Sequence, residues 1–372
     1  MPGKRSGGEG EYFGKGHSSV MTWSVSYLPV LVILILVAFL FWNASNVPVW
    51  SKECRESEIL RHVQMRKLHL NDSDVNNVLI LNETINWPRI HIQPRRFHLH
   101  RNLTFLIVVH SDVYNFNRRH DLRHTFDKKF RKMANFDILF VTGRPMEREI
   151  QRVAEEEAKE FDDVLQSFHV DNYQSLPMKA HAWIAYLHEH FRNSTRFILK
   201  IDDDVSLNAG LVANFLASRS LSESKKSVFC YPFKVAADKR QSSKFYLSEH
   251  EFPYRNLGIF CAGLAYTLSA DLLPHLHRNI ERTRFVWLDD WYVTHALLIN
   301  VDFTIYDTSP FYLMSETNRE AFNRLRRILD GSLPTPWFAH LRPRKAYDRL
   351  RQLEFWRRSQ LCTDGVKDPR VV

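Results

Sequence analysis

Residues 196–208, RFILKIDDDVSLN, constrain the fold of this chain more than any other stretch. The mostly apolar run at residues 197–201 contains β-branched side chains and leads directly into three consecutive aspartates. A short apolar run of this kind predicts a strand buried on both faces, as in the parallel sheets of α/β proteins. Ligands bind at the carboxyl ends of such strands, so the aspartates mark a candidate site.

Three adjacent carboxylates, Asp202, Asp203 and Asp204, repel one another and cannot all be buried in the ionised state without compensation. A hard divalent cation is a natural partner, because it takes oxygen ligands and leaves positions for phosphate oxygens. We therefore hypothesise a metal site that holds a diphosphate. A solvated acidic turn, with Asp204 capping the helix that begins near Asn208, is the alternative that this stretch leaves open.

Predicted strands alternate with predicted helices between residues 102 and 201, which indicates an α/β domain with a mostly parallel sheet in one Rossmann-like half. The strands are predicted at residues 104–110, 137–141, 197–201, 228–231, 263–268 and 301–306. The helices are predicted at residues 118–133, 146–160, 177–191, 270–280, 290–298 and 343–356.

The region before this domain divides into segments of different composition. Residues 1–20 are rich in Gly and Ser and predict a disordered cytoplasmic tail. Residues 21–42 carry no charge and are long enough to span a bilayer, so we expect an uncleaved signal anchor, with a cleaved signal peptide as the alternative. Basic residues in the tail favour a cytosolic amino terminus, which places a polar stem (residues 43–101) and a catalytic domain (residues 102–372) in the lumen.

The formal net charge of +9 suits an anionic ligand. The sequence carries no zinc-finger, basic-zipper or aromatic RNA-binding signature, so we expect a nucleotide ligand and no nucleic acid. Its four cysteines would lie in an oxidising compartment, with Cys230 and Cys261 as one candidate pair. Sequons for N-linked glycosylation, which agree with lumenal exposure, begin at Asn43, Asn71, Asn82, Asn102 and Asn193.

Asp289 and Asp290 form a second acidic pair, at a predicted loop-to-helix junction flanked by Trp287 and Trp291. A carboxylate held among aromatic side chains near a metal can have a raised pKa and act as a base. The two indole rings could also stack on a sugar and exclude water. A helix N-cap with one extra aspartate is the structural alternative.

Two further features have both a functional and a structural interpretation. Arg119 and Arg123 lie four residues apart on one predicted helix face, where they could hold phosphate or pair with carboxylates to stabilise the fold. His340 could complete an oxygen-rich metal site or be a surface histidine. These residues alone do not decide between the two.

The chain resembles the β1,3-glycosyltransferases of family 31, and the matching segments occur in the family's order across roughly residues 100–345. They are residues 119–126 (RHDLRHTF), 137–143 (DILFVTG), 161–183 (FDDVLQSFHVDNYQSLPMKAHAW), 200–208 (KIDDDVSLN), 244–254 (KFYLSEHEFPY), 261–272 (CAGLAYTLSADL) and 288–293 (LDDWYV). The third of these is similar to the family's D-x-Y-x-N-L-T-x-K stretch.

The resemblance implies a GT-A fold, a Mn²⁺ ion, a UDP-sugar donor and inversion at the anomeric carbon. It assigns Asp202 and Asp204 to the metal together with His340, and it assigns the role of general base to Asp290. The remaining residues expected to bind the donor are Ser111, Arg119, Arg123, Lys179 and Asp203.

We therefore predict a Golgi type II membrane glycosyltransferase that transfers a hexose, with galactose favoured, to a glycan on a glycoprotein or glycolipid. A β1,3-N-acetylglucosaminyltransferase and an inactive lectin-like or chaperone relative are the alternatives. A metal-dependent phosphohydrolase would need a nucleophile or a second metal cluster, for which the sequence offers no convincing set of residues. Departures from the family pattern bear on specificity more than on chemistry, and they lie at Phe126, residues 174–177, residues 257–260, Asp289 and Thr294.

Overall fold

The computed structural model describes residues 65–70, 89–95, 102–191, 194–315, 319–320, 323–324, 327, 332 and 335–341. All of these residues lie within one compact unit, residues 53–372. The predicted tail, the predicted anchor at residues 21–42 and the predicted helix at residues 343–356 lie outside the described residues. Every helix in the described part of the chain is too short or too polar to cross a membrane.

The described residues form strands and helices that alternate through the first half of the domain. The strands are β1 (Lys67–Leu68), β2 (Ile90–Ile92), β3 (Leu103–His110), β4 (Phe136–Arg144), β5 (Val164–Val170), β6 (Thr195–Asp202), β7 (Ser206–Leu207), β8 (Ser227–Ala236), β9 (Asn256–Ser269), β10 (Thr304–Asp307), β11 (Tyr312–Ser315) and β12 (Phe338–Leu341). The α-helices are α1 (Phe116–Thr125), α2 (Lys128–Met133), α3 (Arg148–Phe161), α4 (Leu176–His190), α5 (Ala209–Ala217), α6 (Leu273–Ile280) and α7 (Asp289–Thr294).

Within the described residues, nine strands form one mixed sheet in the order β1-β10-β8-β9-β6-β3-β4-β5-β2. Strands β6, β3, β4 and β5 run parallel to one another, whereas β9 runs antiparallel to both β6 and β8, and β2 runs antiparallel to β5. A smaller sheet has the order β11-β12-β7. The predicted α/β class is therefore confirmed, and the main sheet extends through β1 and β2 into residues predicted to form the stem.

Strand β3 shows why the sheet is buried on both faces. Leu106 and Val108 pack into one apolar core together with Trp183 of α4, while Ile107 and Val109 pack into a second core on the opposite face. A continuous apolar run is what a parallel strand covered by helices on both sides requires. Each such fully buried side chain stabilises the fold by about 1.5–3 kcal/mol.

The helix predicted at residues 118–133 is two helices, α1 and α2, so the prediction of one continuous helix was wrong. Asp127 begins the second helix, because its side chain accepts a hydrogen bond from the Phe130 backbone N–H at 2.8 Å. Phe126, between the two helices, is 1% exposed and packs into the core. The first helix ends where the Phe126 ring packs into the core.

Two strands also differ from their predictions. Strand β9 covers 14 residues, whereas the pattern predicted only residues 263–268. Strand β5 was not predicted, because Gln166, Ser167 and His169 interrupt its apolar residues, yet β4 pairs with it in parallel. The candidate disulfide between Cys230 and Cys261 is confirmed, and it links β8 to β9 with a Cα–Cα distance of 5.6 Å.

Candidate active site

Strand β6 is a central strand of the main sheet, and it ends at the acidic segment, which we define as Asp202–Asp204. Strand β6 lies between β3 and β9, and Asp202 is aligned with His110 at the end of β3. Ser111 begins the loop after β3, and Asp203 begins the turn after β6. Because parallel strands end at the same edge, the two loops meet where α/β sheets bind ligands.

The three consecutive aspartates have different surroundings. The side chain of Asp203 is only 7% exposed, whereas the side chains of Asp202 and Asp204 are each 40% exposed. The Asp203 carboxylate accepts hydrogen bonds from Ser111 Oγ at 2.8 Å, Asn115 Nδ2 at 2.9 Å and Arg118 Nη1 at 2.6 Å. Asp203 therefore anchors the loop after β3, while its two neighbours face the open edge.

The acidic segment does not cap the helix that follows it. Asn208 caps α5, because its side chain accepts a hydrogen bond from the Leu211 backbone N–H at 3.1 Å. The alternative in which Asp204 is the cap was therefore wrong. Asp202 is held from within the sheet by Lys200, whose Nζ donates to its Oδ1 at 2.6 Å. Burial raises the pKa of Asp202 in spite of this cation.

The smaller sheet carries His340 to the aspartates. Strand β12 pairs with β7 so that Ala339 lies opposite Ser206, and His340 follows directly. His340 Nε2 lies 3.5 Å from Asp204 Oδ2. Burial acts to raise the pKa of Asp204, but the hydrogen bond and charge of His340, together with the charge of Arg118 and a backbone hydrogen bond, outweigh it, and the pKa is lowered. Two of the predicted metal ligands are therefore in contact.

The side chains at this edge suit a hard cation bound together with a diphosphate. Asp204 and His340 converge, and Asp202 lies beside them with its Oδ1 already bound by Lys200. Among the described residues, no three His, Cys, Asp or Glu side chains form a complete metal-binding group. Cations of the Mg²⁺ type commonly use one or two carboxylates and complete their shell with phosphate oxygens and water. The residues present fit that arrangement.

The second acidic pair opens helix α7, and its two members differ in exposure. Asp289 is 6% exposed, with its Oδ2 at 3.5 Å from His110 Nδ1 and 3.8 Å from Lys200 Nζ. Its Oδ1 has no hydrogen-bond partner in the described part of the chain, and burial raises the pKa of Asp289 to about 7. Asp290 is partly exposed and accepts a hydrogen bond from the Trp291 N–H at 2.9 Å. Burial raises the pKa of Asp290 as well. Asp290 is therefore the member that a substrate can reach.

Gly263 of β9 allows Asp290 to approach the sheet closely. A Cβ atom at this position would lie 3.1 Å from Asp290 Oδ2. The Gly263 carbonyl accepts a hydrogen bond from Lys200 Nζ at 2.6 Å, and the same Nζ binds Asp202. The two acidic clusters thus converge on one edge and are joined through a single buried ammonium group.

Arg119 and Arg123 face carboxylates of the protein. Arg119 is fully buried, and its Nη2 lies 2.7 Å from Glu157 Oε2. Arg123 donates to both oxygens of Asp163, at 2.8 and 2.7 Å, and to Glu157 at 2.8 Å. We call these four residues the closed ionic cluster. The interpretation as structural pairs therefore describes both arginines, whose guanidinium groups are occupied by protein carboxylates.

Lys179 and Ser111 lie close to the acidic segment and contact protein groups. Lys179 is 3% exposed, and its Nζ pairs with Asp171 Oδ1 at 2.6 Å and donates to the Ser111 carbonyl at 2.8 Å. Asp171 also accepts hydrogen bonds from the backbone N–H groups of Val113 and Gly143, at 2.8 and 2.9 Å. Lys179 therefore links the loop after β3 to Asp171, the residue that follows β5, next to the predicted donor site.

The aromatic side chain exposed beside the acidic pairs is Tyr173. Trp291, expected to line the rim, faces the core instead, because it is 1% exposed and donates from Nε1 to the Leu257 carbonyl at 2.6 Å. Trp287 is buried beneath Tyr173, with 5.8 Å between the ring centroids, while Tyr173 is 50% exposed. Partial burial, followed by the negative charge of Asp290 and its neighbours, raises the pKa of Tyr173. This residue was not predicted as part of the site, although it is the tyrosine of the D-x-Y motif in residues 161–183.

Thr294, one of the departures from the family pattern, connects the acidic pair to the sheet. Its Oγ1 donates to the Asp290 carbonyl at 2.6 Å and accepts a hydrogen bond from the Cys261 N–H at 2.9 Å. The hydroxyl group therefore fixes helix α7 against β9 beside the disulfide.

Comparison with protein families gives a match that covers most of this site. Residues 117–309, more than half of the chain, match the family model described as Galactosyltransferase. The matched region includes the acidic segment, the second acidic pair and the closed ionic cluster, and it ends before His340.

Curated relatives are similar to this chain over the same region. UDP-GalNAc:beta-1,3-N-acetylgalactosaminyltransferase 1 from Sus scrofa is 29% identical over 228 residues, which cover 58% of this chain and 66% of that protein. Beta-1,3-galactosyltransferase 1 from Mus musculus is 25% identical over 198 residues, which cover 52% of this chain and 60% of that protein. The chain thus spans slightly less than two thirds of the length of these relatives. A solved glycosyltransferase involved in the glycosylation of the major capsid of PBCV-1 aligns with 67% of this chain and 98% of its own, at 12% identity and a TM-score of 0.35.

Proposed function

Because the chain belongs to the galactosyltransferase family, glycosyltransferase family 31, we propose that it transfers a hexose from a UDP-sugar to a glycan hydroxyl in β1,3 linkage. Galactose is the favoured sugar. One observation carries the proposal: Lys200 binds both Asp202 and Gly263, and Gly263 packs against Asp290, so a candidate ligand of the cation and a candidate base share one edge. The relatives are named for GalNAc and galactose donors, which makes UDP-GalNAc the second donor to test.

A GT-A arrangement is part of this proposal. The parallel strands β5, β4, β3 and β6 would form the half that receives the nucleotide, with the acidic segment at their carboxyl edge. The antiparallel strand β9 and helix α7 would form the acceptor side, since they carry Gly263 and Asp290. The acceptor is a glycan on a glycoprotein or glycolipid.

Asp204 and His340, together with Asp202, would hold Mn²⁺. When bound, the cation supplies positive charge that offsets the negative charge developing on the departing UDP. Arg118 adds a fixed positive charge on the same side, because its Nη1 lies 3.8 Å from Asp204 Oδ2. Through the cation, and with Arg118, these side chains would hold and orient the diphosphate at the end of β6.

Asp290 takes the proton from the acceptor hydroxyl as that oxygen attacks the anomeric carbon from the face opposite UDP. The new carbon–oxygen bond forms as the bond to UDP breaks, which inverts the anomeric centre without a covalent enzyme intermediate. The raised pKa of Asp290 makes it a stronger base near neutral pH than an exposed aspartate. The exposed ring of Tyr173 would pack on a sugar ring and shield the reaction from water.

The proposal places this reaction in the Golgi lumen, with residues 21–42 as the membrane anchor and residues 43–101 as the stem. The Cys230–Cys261 disulfide supports an oxidising compartment. Removal of N-linked glycans from the expressed chain should increase its electrophoretic mobility. Unchanged mobility would argue against lumenal exposure.

The experiment that tests the activity uses the full-length chain purified in detergent. UDP release and product linkage are measured with Mn²⁺, with UDP-galactose, UDP-GalNAc and UDP-GlcNAc, and with galactose- and hexosamine-terminated acceptors. We expect Mn²⁺-dependent transfer with one donor. Asp290→Asn should abolish transfer while UDP binding persists, and Asp302→Asn, whose side chain is 93% exposed in the native chain, is the matched control. UDP binding without transfer to any acceptor would favour the lectin-like alternative, and the absence of UDP binding would overturn the proposal.

A further inference from the structure

Lys200 is a buried cation at the centre of the proposed site. It lies on β6, two residues before Asp202, and its side chain is only 3% exposed. Lysine is seldom buried to this degree, because removing an ammonium group from water is costly unless acceptors surround it. The contacts of Lys200 therefore indicate why the chain keeps a cation inside the sheet.

The Lys200 ammonium group contacts three different segments of the chain. Its Nζ donates to Asp202 Oδ1 at the end of β6 and to the Gly263 carbonyl in β9, both at 2.6 Å. It also lies 3.8 Å from Asp289 Oδ2 at the start of α7. An ammonium group has three donor directions, and here two form short hydrogen bonds while an ion pair lies on the third side. The first contact is on the diphosphate side of the site, and the other two are on the acceptor side.

Two of these contacts, those with Asp202 and Gly263, limit the freedom of groups that the proposed reaction uses. The hydrogen bond from Lys200 to Oδ1 fixes the orientation in which the Asp202 carboxylate meets a cation. The second contact fixes the carbonyl of Gly263, whose α-carbon packs against Asp290 so closely that an added Cβ would lie 3.1 Å from Asp290 Oδ2. One side chain therefore determines the placement of both a cation ligand and the base.

We propose that Lys200 is a positioning residue that couples the two halves of the site, an inference that rests on the proposed function. It holds Asp202 in the orientation that meets the cation and diphosphate, and it holds Gly263 so that Asp290 meets the acceptor hydroxyl. Lys200 itself does not touch the reacting atoms. Its loss should therefore change both the requirement for Mn²⁺ and the rate constant of transfer.

The experiment compares Lys200→Met, Lys200→Arg and the control Lys226→Met in the full-length chain. Lys226 is 52% exposed and lies 3.9 Å from the exposed Asp302. Transfer rates are measured against donor and Mn²⁺ concentration, Mn²⁺-dependent UDP binding is measured by calorimetry, and folding is monitored by thermal denaturation. For Lys200→Met we expect kcat to fall about 10–100-fold and the Mn²⁺ concentration for UDP binding to rise several-fold. Lys200→Arg, which keeps the charge, should restore part of the kcat and part of the Mn²⁺ affinity.

A folded Lys200→Met variant with unchanged kcat and unchanged Mn²⁺ dependence would overturn the inference. So would a loss of activity that only follows the fraction of unfolded protein. The proposed function fails separately, if the unmodified chain transfers no sugar at all.

Gly263→Ala tests the second contact even if Lys200→Met does not fold. Its added methyl group presses on Asp290, so kcat should fall about tenfold or more while Mn²⁺-dependent UDP binding stays unchanged. An unchanged kcat would show that the Gly263 contact does not position the base, and the coupling through Lys200 would then be rejected.

Discussion

Two groups of charged side chains near the carboxyl end of β3 use similar residues in opposite ways. In the closed ionic cluster, every carboxylate oxygen of Glu157 and Asp163 accepts a hydrogen bond from Arg119 or Arg123. At the open edge of β6, the carboxylates of Asp202 and Asp204 are each 40% exposed. We call the second group the acidic edge, and its members are Asp202, Asp204, Asp290 and His340.

The two groups differ in how far their carboxylate oxygens are already bound by cationic side chains of the protein. A carboxylate whose oxygens are all bound by guanidinium groups contributes to stability and has no capacity left for a ligand. A carboxylate at a strand end that still faces solvent can bind a cation or accept a proton. Changes in the closed ionic cluster should therefore affect folding, whereas changes at the acidic edge should affect activity.

The largest effect on stability is expected for Arg119→Met. The substitution leaves Arg123 as the remaining guanidinium partner of Glu157, and removing one partner from a buried ion pair costs about 3–5 kcal/mol. The free energy of unfolding, measured by denaturant titration, should fall by this amount. Arg152→Met on the surface of α3, where the side chain is 67% exposed, should change it by less than about 1 kcal/mol. Equal effects of the two substitutions would remove the distinction between the two groups.

Asp204→Asn should reduce transfer by roughly 10²–10³-fold, because the substitution removes a charged oxygen ligand from the cation site. The melting temperature should stay close to that of the unmodified chain, since the carboxylate is partly exposed. Rates measured across a range of Mn²⁺ concentrations would show whether excess cation restores activity in part. A variant that unfolds but keeps normal activity per folded molecule would contradict this assignment.

Asp289→Asn should change how stability depends on pH. The folded chain holds the Asp289 proton with a pKa of about 7, above the ordinary value of 3.8. The contribution of this carboxyl group to stability is therefore present at pH values below the ordinary pKa and is lost as the pH rises through about 7. Relative to the unmodified chain, the variant should gain about 1–3 kcal/mol between about pH 5 and about pH 8. Thermal denaturation without Mn²⁺ measures this gain in stability. If the difference in stability between the variant and the unmodified chain does not depend on pH, Asp289 has no raised pKa.

The smallest effect is expected for Tyr173→Ala. Loss of one aromatic contact with a sugar ring should raise the KM of the donor or acceptor by a few-fold to about tenfold. Tyr173→Phe keeps the ring and should keep the KM within about twofold, which separates ring packing from hydrogen bonding by the hydroxyl. If Tyr173→Ala leaves every KM unchanged, the exposed ring has no part in binding either sugar.

Much of the fold could be predicted because it depends on neighbouring residues. Strands β3, β4 and β6 are apolar runs buried on both faces, and Asp202–Asp204 follow the last of them directly. The break between α1 and α2 was missed because it depends on Phe126 packing into a core built by other segments. Strand β5 was missed for a similar reason. Its polar residues interrupt the apolar pattern, and it is a strand because it pairs with β4.

The sequence alone determined the alternation of strands and helices, the acidic segment at a strand end and the second acidic pair at a helix start, because periodicity and adjacency are local properties. Only the tertiary structure decided which carboxylates are saturated, since Arg123 meets Asp163 from a different element. It also decided that His340 reaches Asp204 and that, beside the acidic pair, Tyr173 is exposed while Trp291 is buried. These outcomes depend on strand pairing and on packing between residues far apart in the chain, which local patterns do not encode.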